Sequence, residues 1–272
     1  RISDEILKQV IDMYKKIRNT FRFMLGNVND FSKADLISFE DLNHEDKYMM
    51  VKLNEVLKTC VQAYKDYDYK TVATTISNFM TNTLSAYYLD YTKDILYIEV
   101  KDGCERRGVQ TVIYTALDTL TKIMAPILVH TTEEVWDFLN PNSTTIHLEA
   151  FPEVKDYSIN EDVWVELFGL RTKVFKALEE ARSEKVIGKS LEAKLNLVLP
   201  SALKAICDTE LTKVAQWLTV SQCSITEGSE LNIEVVKAQG TTCPRCWNMV
   251  EHVHTEDGLC DRCDAVLNSK GA

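Results

Sequence analysis

Four cysteines near the end of the chain carry the clearest chemistry: Cys243-Pro-Arg-Cys246 and Cys260-Asp-Arg-Cys263 are two C-x-x-C pairs separated by thirteen residues. Each pair offers two thiolates from a tight turn, and two such turns complete a tetrahedral sulfur site for zinc. Four protein ligands leave no position for water or substrate. One structural zinc is therefore expected, holding a segment with too few apolar residues to fold alone. Two disulfides, or a redox C-x-x-C, are the competing readings of the same spacing. His252 and His254 lie between the pairs, where either can replace a cysteine. Trp247 directly follows Cys246, as the lid of a minimal metal core or as a flat surface on which an unstacked base sits. Arg245 and Arg262 occupy equivalent places inside the two turns, where they offset thiolate charge or contact phosphate.

No catalytic constellation accompanies these residues. Gly188-Lys189-Ser190 resembles the end of a phosphate-binding loop, but position 183 is serine where that motif needs glycine, and a strand follows instead of a helix. Glu133-Glu134 is explained as a helix-start pair favoured by the dipole. His130 has no visible partner.

The elements that must position the cysteines read as helices first. Apolar residues at Leu7, Val10, Ile11, Tyr14, Ile17, Phe21, Met24 and Leu25 predict one long amphipathic helix, capped by Ser3 and stopped at Gly26-Asn27. A second starts at Asn43 and buries Met50, Leu53, Val56, Leu57, Cys60, Val61 and Tyr64; Tyr67-Asp68 opens a third that runs to Tyr91. The fourth begins near Cys104 and ends at Pro126, and a short helix capped by Thr131 or Thr132 holds Trp136. The stretch 140–160 is the expected boundary. After it, Val163 to Leu178 forms a helix ending near Gly188, and Leu191 to Leu199 alternates as a half-buried strand. A helix over 201–218 and strands over 222–226 and 231–237 follow. The fold class is mainly α: an up-and-down helix bundle (1–150), a small α/β junction domain (151–238) and a four-cysteine zinc module (239–272). The module is expected to have a core separate from that of the bundle.

The 272 residues carry a net charge of −10, which argues against a generally basic nucleic-acid coat. Residues 1–25 nevertheless hold six basic side chains against three acidic ones, and residues 171–189 repeat that ratio. Two such faces suit a polyanion partner, although each alone is also an ordinary solvated helix face. No apolar run is long enough to span a bilayer, so no membrane association is expected. Cys60, Cys104, Cys207 and Cys223 form no framework, and free thiols beside a thiolate metal site point to the cytoplasm. The start, Arg1-Ile2-Ser3-Asp4-Glu5, is neither a signal peptide nor an initiator, so the chain reads as part of something longer.

Several segments together resemble one family. Tyr14 to Asn27 (YKKIRNTFRFMLGN), Tyr88-Leu89-Asp90 with Lys93-Asp94, Arg106-Arg107 through Gln110-Thr111, and Ala125-Pro126-Ile127-Leu128 with Glu133-Glu134-Val135-Trp136 are similar to the anticodon-binding domain of isoleucyl-tRNA synthetases of the bacterial type, class Ia. Lys185 to Ala193 and the final Cys-x-x-Cys-Trp-Asn are similar to the carboxy-terminal region of the same family. The resemblance implies a helix bundle that grips the anticodon arm of the isoleucine acceptor tRNA, then a junction domain and a zinc module that complete the grip. It also implies an ATP-dependent ligase core with H-I-G-H and K-M-S-K-S signatures, neither of which occurs in this chain. The chain alone is therefore expected to bind tRNA as a monomer without charging it.

On that reading Arg18, Arg22, Arg182, Lys185 and Lys189 hold phosphates of the anticodon stem, supplying affinity but little sequence information. Arg106 and Arg107 join them, since positive charge at a helix start opposes the dipole and is otherwise unexplained. Arg245, Arg262 and Trp247 face the loop, with Trp247 stacking on a splayed base. The alternatives are the corresponding region of a valine, leucine or methionine synthetase, and a zinc-ribbon scaffold that binds protein through its helices.

Overall fold

The computed structural model describes residues 2–253 and 257–269. They form two compact units: the first comprises residues 1–42, 46–92 and 104–158, and the second residues 43–45, 93–103 and 159–272.

The first unit is built from helices. Helix α1 (Asp4–Asn27) starts where expected, with the Ser3 hydroxyl accepting from the Ile6 N–H. Only its second half is buried, through Ile17, Thr20, Phe21 and Met24; Ile6, Leu7, Val10 and Ile11 stay about half exposed, so the predicted stripe packs over half its length. Helix α2 (His44–Lys65) is followed by Tyr67, whose φ of 56° reverses the chain, and Asp68 caps α3 (Tyr69–Asn78) by accepting from the Thr71 N–H.

The third helix does not stay α-helical. Its middle, Phe79–Leu89, is wound as a π-helix before the chain resumes as α4 (Asp90–Ile98). Ile76, Met80, Leu84, Tyr88 and Thr92 are all fully buried and recur every four residues. At 3.6 residues per turn such a row drifts by about 40° at each step, and a wider turn returns it to the core. Tyr88 ends the row by donating to the buried Asp46 carboxylate at 2.5 Å.

Helix α5 (Cys104–Met124) packs against α1 and α6 (Val129–Leu139). Thr131 and Thr132 do not cap α6. Both are buried inside it, and the Thr132 hydroxyl donates back to the Leu128 carbonyl at 3.0 Å, the alternative a threonine has within a helix. Glu133 and Glu134 serve partners elsewhere in the unit: Glu133 accepts from the Thr145 hydroxyl and Ile146 N–H, and Glu134 binds Arg18.

The second unit centres on a mixed sheet of order β2-β1-β3, with β1 (Ala193–Leu199) parallel to one neighbour and antiparallel to the other. Ala193, Leu195, Leu197 and Leu199 are buried in alternation, as the sequence pattern predicts. Helix α7 (Glu161–Ser183) lies against β3 (Asn232–Lys237), and α8 (Ser201–Glu210) against β2 (Gln222–Glu227). The helix expected over 201–218 breaks into α8 and a single turn, α9 (Val214–Trp217). The break is stabilised by Glu45, whose buried carboxylate accepts from the Thr212 N–H at 3.0 Å and lies 3.3 Å from its hydroxyl. It lets Trp217 turn wholly inward. A two-residue ribbon, β4 (Thr241–Thr242) with β5 (Met249–Val250), and a final helix, α10 (Asp261–Ser269), carry the cysteines.

Candidate metal centre and nucleic-acid face

The first cysteine pair sits at the tip of the β4–β5 ribbon. The Trp247 N–H donates to the Cys243 carbonyl and the Cys243 N–H to the Asn248 carbonyl, both at 2.9 Å, closing the turn. Gly240, with φ of 102°, leads into it; a Cβ there would lie 1.9 Å from the Val250 carbonyl oxygen, so only glycine fits. The second pair opens α10, with the Asp264 N–H donating to the Cys260 carbonyl.

The four sulfurs lie within 4.8 Å of one another and all four residues are buried. Cys246 Sγ and Cys260 Sγ are 3.7 Å apart. Metal–sulfur bonds of about 2.3 Å in a tetrahedron require edges of about 3.8 Å, whereas a disulfide requires about 2.05 Å. The group fits a metal ion. His252 is exposed and stands outside the sulfur cluster, and His254 lies outside the described residues.

Burial opposes ionisation of Cys243, but N–H groups of Cys246, Cys260 and Arg245 outweigh it and bring the thiol down to about 6. Burial pushes Cys246 and Cys263 up. The N–H groups thus favour the thiolate at Cys243, and a cation would favour it at Cys246 and Cys263 in place of their protons.

The core around the sulfurs is not confined to the tail. Ile98, at the end of α4, packs into it, flanked by Val250 and Leu259. The Arg245 guanidinium donates to the Ile98 carbonyl at 2.8 Å, satisfying an acceptor that a helix end leaves open. The Arg245 side chain also favours the ionised form of Cys263, against the burial that opposes it. Arg262 donates to Asp94 at 2.6 Å and to Glu99 at 2.8 Å. Within their unit both arginines tie the cysteine turns to residues 94–99.

The other basic residues divide by partner. Arg106 pairs with the Asp30 carboxylate at 2.8 and 3.1 Å, while Arg107 donates to the Asp30 carbonyl and Gln110 and lies over the Phe31 ring. Burial raises the Asp30 carboxyl, but hydrogen bonds from Arg106 and Gln110 and the charges of both arginines hold it below its ordinary value. The positive start of α5 therefore has an anion built against it. Arg18 grips Glu134 at 2.6 and 2.8 Å on the surface, an exposed pair of little net worth. Arg22 is exposed. Arg171, counted among the basic residues of 171–189, is buried between the Phe175 and Trp217 rings and donates to the Trp217 carbonyl.

Helix α7 ends at Ser183, five residues before Gly188, because Lys185 adopts φ of 62° and the Val186 N–H turns back to the Ala181 carbonyl. That is a Schellman stop with lysine where glycine is usual. Lys185→Gly is expected to raise stability by about 0.5 to 1 kcal/mol in thermal melts, since the left-handed residue loses its Cβ clash. The same change is expected to weaken polyanion binding, so the two effects have opposite signs. Arg182 binds Glu179 and Ser190. The Gly188 N–H donates to Glu192 Oε2 at 2.8 Å, so a carboxylate occupies the place a phosphate would need in a phosphate-binding loop.

Lys189, Leu191, Glu192, Thr242, Trp247 and Met249 line an open cleft of about 260 Å³. Trp247 is 68% exposed and has φ of 64°. Its turn holds the indole out beside Lys189. Glu192 and Thr242 were not legible as neighbours of Trp247; the alternation of 191–199 places them only once the sheet and ribbon are folded.

Residues 46–197 match the family described as the anticodon-binding domain of tRNA ligase. Across 98% of its length the chain is 42% identical to the isoleucine–tRNA ligase of Listeria welshimeri, 43% to isoleucine–tRNA ligase 1 of Oceanobacillus iheyensis and 41% to the isoleucine–tRNA ligase of Lactobacillus acidophilus. It spans about a third of those proteins, 31%, 31% and 30% respectively. The helical first unit, the strand that follows α7 and the cysteine tail all fall within these alignments, and the chain belongs to the anticodon-binding domain family of tRNA ligases.

Proposed function

We propose that this chain holds the anticodon arm of the isoleucine acceptor tRNA for a ligase that charges that tRNA, and that it does so as a cytoplasmic monomer supported by one structural zinc. The observation that carries the reading is the exposed Trp247 beside Lys189, on a turn fixed by four converging thiols. Zinc held by Cys243, Cys246, Cys260 and Cys263 would cross-link the ribbon to α10; with four protein ligands it has no position for a reactant. Exposed Arg22, Lys185 and Lys189, with Arg18 and Arg182 exchanging their carboxylate partners for phosphate, supply the sequence-independent attraction. Arg106, Arg107, Arg245 and Arg262 stabilise the protein through the acids and carbonyls they bind, and through these set where the contacting groups stand. Relatives named as isoleucine ligases at 41–43% identity favour this reading over the valine, leucine and methionine enzymes.

The test is a binding titration of purified tRNA species at several salt concentrations, with metal content measured on the same sample. Five phosphate contacts give an expected log–log salt slope of about −4. Isoleucine tRNA is expected to bind tightest, with one zinc per chain and no aminoacylation. Equal affinity for all tRNAs would remove the recognition claim, and absence of any binding at low salt would favour the protein-scaffold reading.

A further inference from the structure

Lys189 and Trp247 lie far apart in the chain, and one hydroxyl reaches the segments that carry both. Leu191 and Met249 line the same cleft, the first two residues after Lys189 and the second two residues after Trp247. The Ser221 hydroxyl donates to the Leu191 carbonyl at 2.6 Å and accepts the Met249 N–H at 2.8 Å. Gln222 takes the other polar group of Met249: its Nε2 donates to the Met249 carbonyl at 3.4 Å and to the Gln239 carbonyl at 2.9 Å, while its Oε1 accepts the Gln239 N–H. The β4–β5 ribbon has only two residue pairs and is a sheet apart from β2-β1-β3. Side chains 221 and 222 therefore key the ribbon to the larger sheet. Ser221 is itself held from the core, because Thr219, with φ of 57°, turns the chain out of α9 while Trp217, Leu218 and Val220 are buried.

Resting on the anticodon-arm reading, we propose that Ser221 is a positioning residue: its hydroxyl sets the spacing of Trp247 and Lys189, so that one stretch of RNA meets both at once. It acts through these two side chains and not by touching the ligand. The thiols converge between the ribbon and α10, and Arg245 and Arg262 fasten the cysteine turns to residues 94–99; Ser221 reaches the Lys189 side. A hydroxyl can donate to a carbonyl and accept from an N–H at a single atom, which is the pairing these two segments require. Alanine at 221 removes both bonds, whereas threonine keeps the hydroxyl. A contact surface whose supports are fixed before binding loses less freedom when the ligand arrives.

The experiment uses the full chain titrated with isoleucine tRNA at low salt, with metal content measured on every variant. Ser221→Ala is expected to weaken binding about tenfold while retaining one metal per chain. In a Trp247→Ala background the same change is expected to cost less than about twofold, because a residue that acts through the indole then has nothing left to place. Ser221→Thr is expected to bind within about twofold of wild type. Equal losses in the two backgrounds would make Ser221 a general support of the fold and overturn the assignment, as would loss of metal from Ser221→Ala or full affinity in that variant. Gln222→Ala, which frees only the Met249 carbonyl and Gln239, goes through the same two backgrounds and decides the matter by the same criterion should Ser221→Ala fail to fold. If wild-type protein binds no tRNA even at low salt, the anticodon-arm reading fails and takes the positioning role with it; binding by wild type with additive losses overturns the positioning role alone.

Discussion

Replacing Cys260 with alanine is expected to release the end of α4 together with the tail. Three thiols cannot close the tetrahedron that the 3.7 Å sulfur separation fits, so metal affinity collapses. Apparent binding free energies for structural zinc are on the order of 10 kcal/mol, enough to account for most of the order in a segment with so few apolar residues. Ile98 is part of the sulfur core, Arg245 satisfies its carbonyl, and Arg262 joins Asp94 and Glu99. Loss of the cysteine turns removes all three supports from residues 94–103. Amide exchange should therefore show lost protection over 241–269 and over 94–103, with α1, α2 and α5 unchanged. Chelation of wild-type protein should reproduce the pattern. Protection lost from the tail alone would show that α4 keeps its end without the metal, as a tail with a separate core would allow.

Trp247→Ala is expected to weaken tRNA binding by about 1 to 3 kcal/mol, or about 5- to 150-fold in Kd, because the base loses its stacking surface. The folded state should lose little. With 68% of the residue exposed, there is scant buried area to forfeit, and the left-handed backbone at position 247 is no better suited to tryptophan than to alanine. The measurement pairs a tRNA titration with metal content. Lowered zinc retention with unaltered RNA affinity would return the indole to the part of a core lid.

The sequence made local features legible. The two cysteines of each pair lie three positions apart, so their turns are set by nearby chain, and the interval between the pairs suggested one shared site. Helix starts at Ser3 and Asp68, the alternation of β1 and the stop before Pro126 follow from rules that act over a few residues. The π-wound stretch was legible in principle. Its signal is the strict four-residue recurrence from Ile76 to Thr92, which ordinary helical periodicity absorbs as an amphipathic face. The end of α7 at Lys185 was not legible, because no propensity favours lysine in a left-handed stop.

Taken alone, the sequence determined the mainly helical class, the four cysteines that converge as a candidate metal site and the presence of basic segments suited to a polyanion. Tertiary structure alone decided which of those cations remain available. Arg262 finds Asp94 across 168 positions, Arg245 finds Ile98 across 147, and Arg106 finds Asp30 across 76. Arg171, within a run that reads as a surface face, is instead enclosed by Phe175 and Trp217. The sign of a charge is written in its residue type, but its partner is set by packing between segments far apart in the chain. For that reason Lys189 and Trp247 remain at the candidate surface while neighbouring arginines hold the fold.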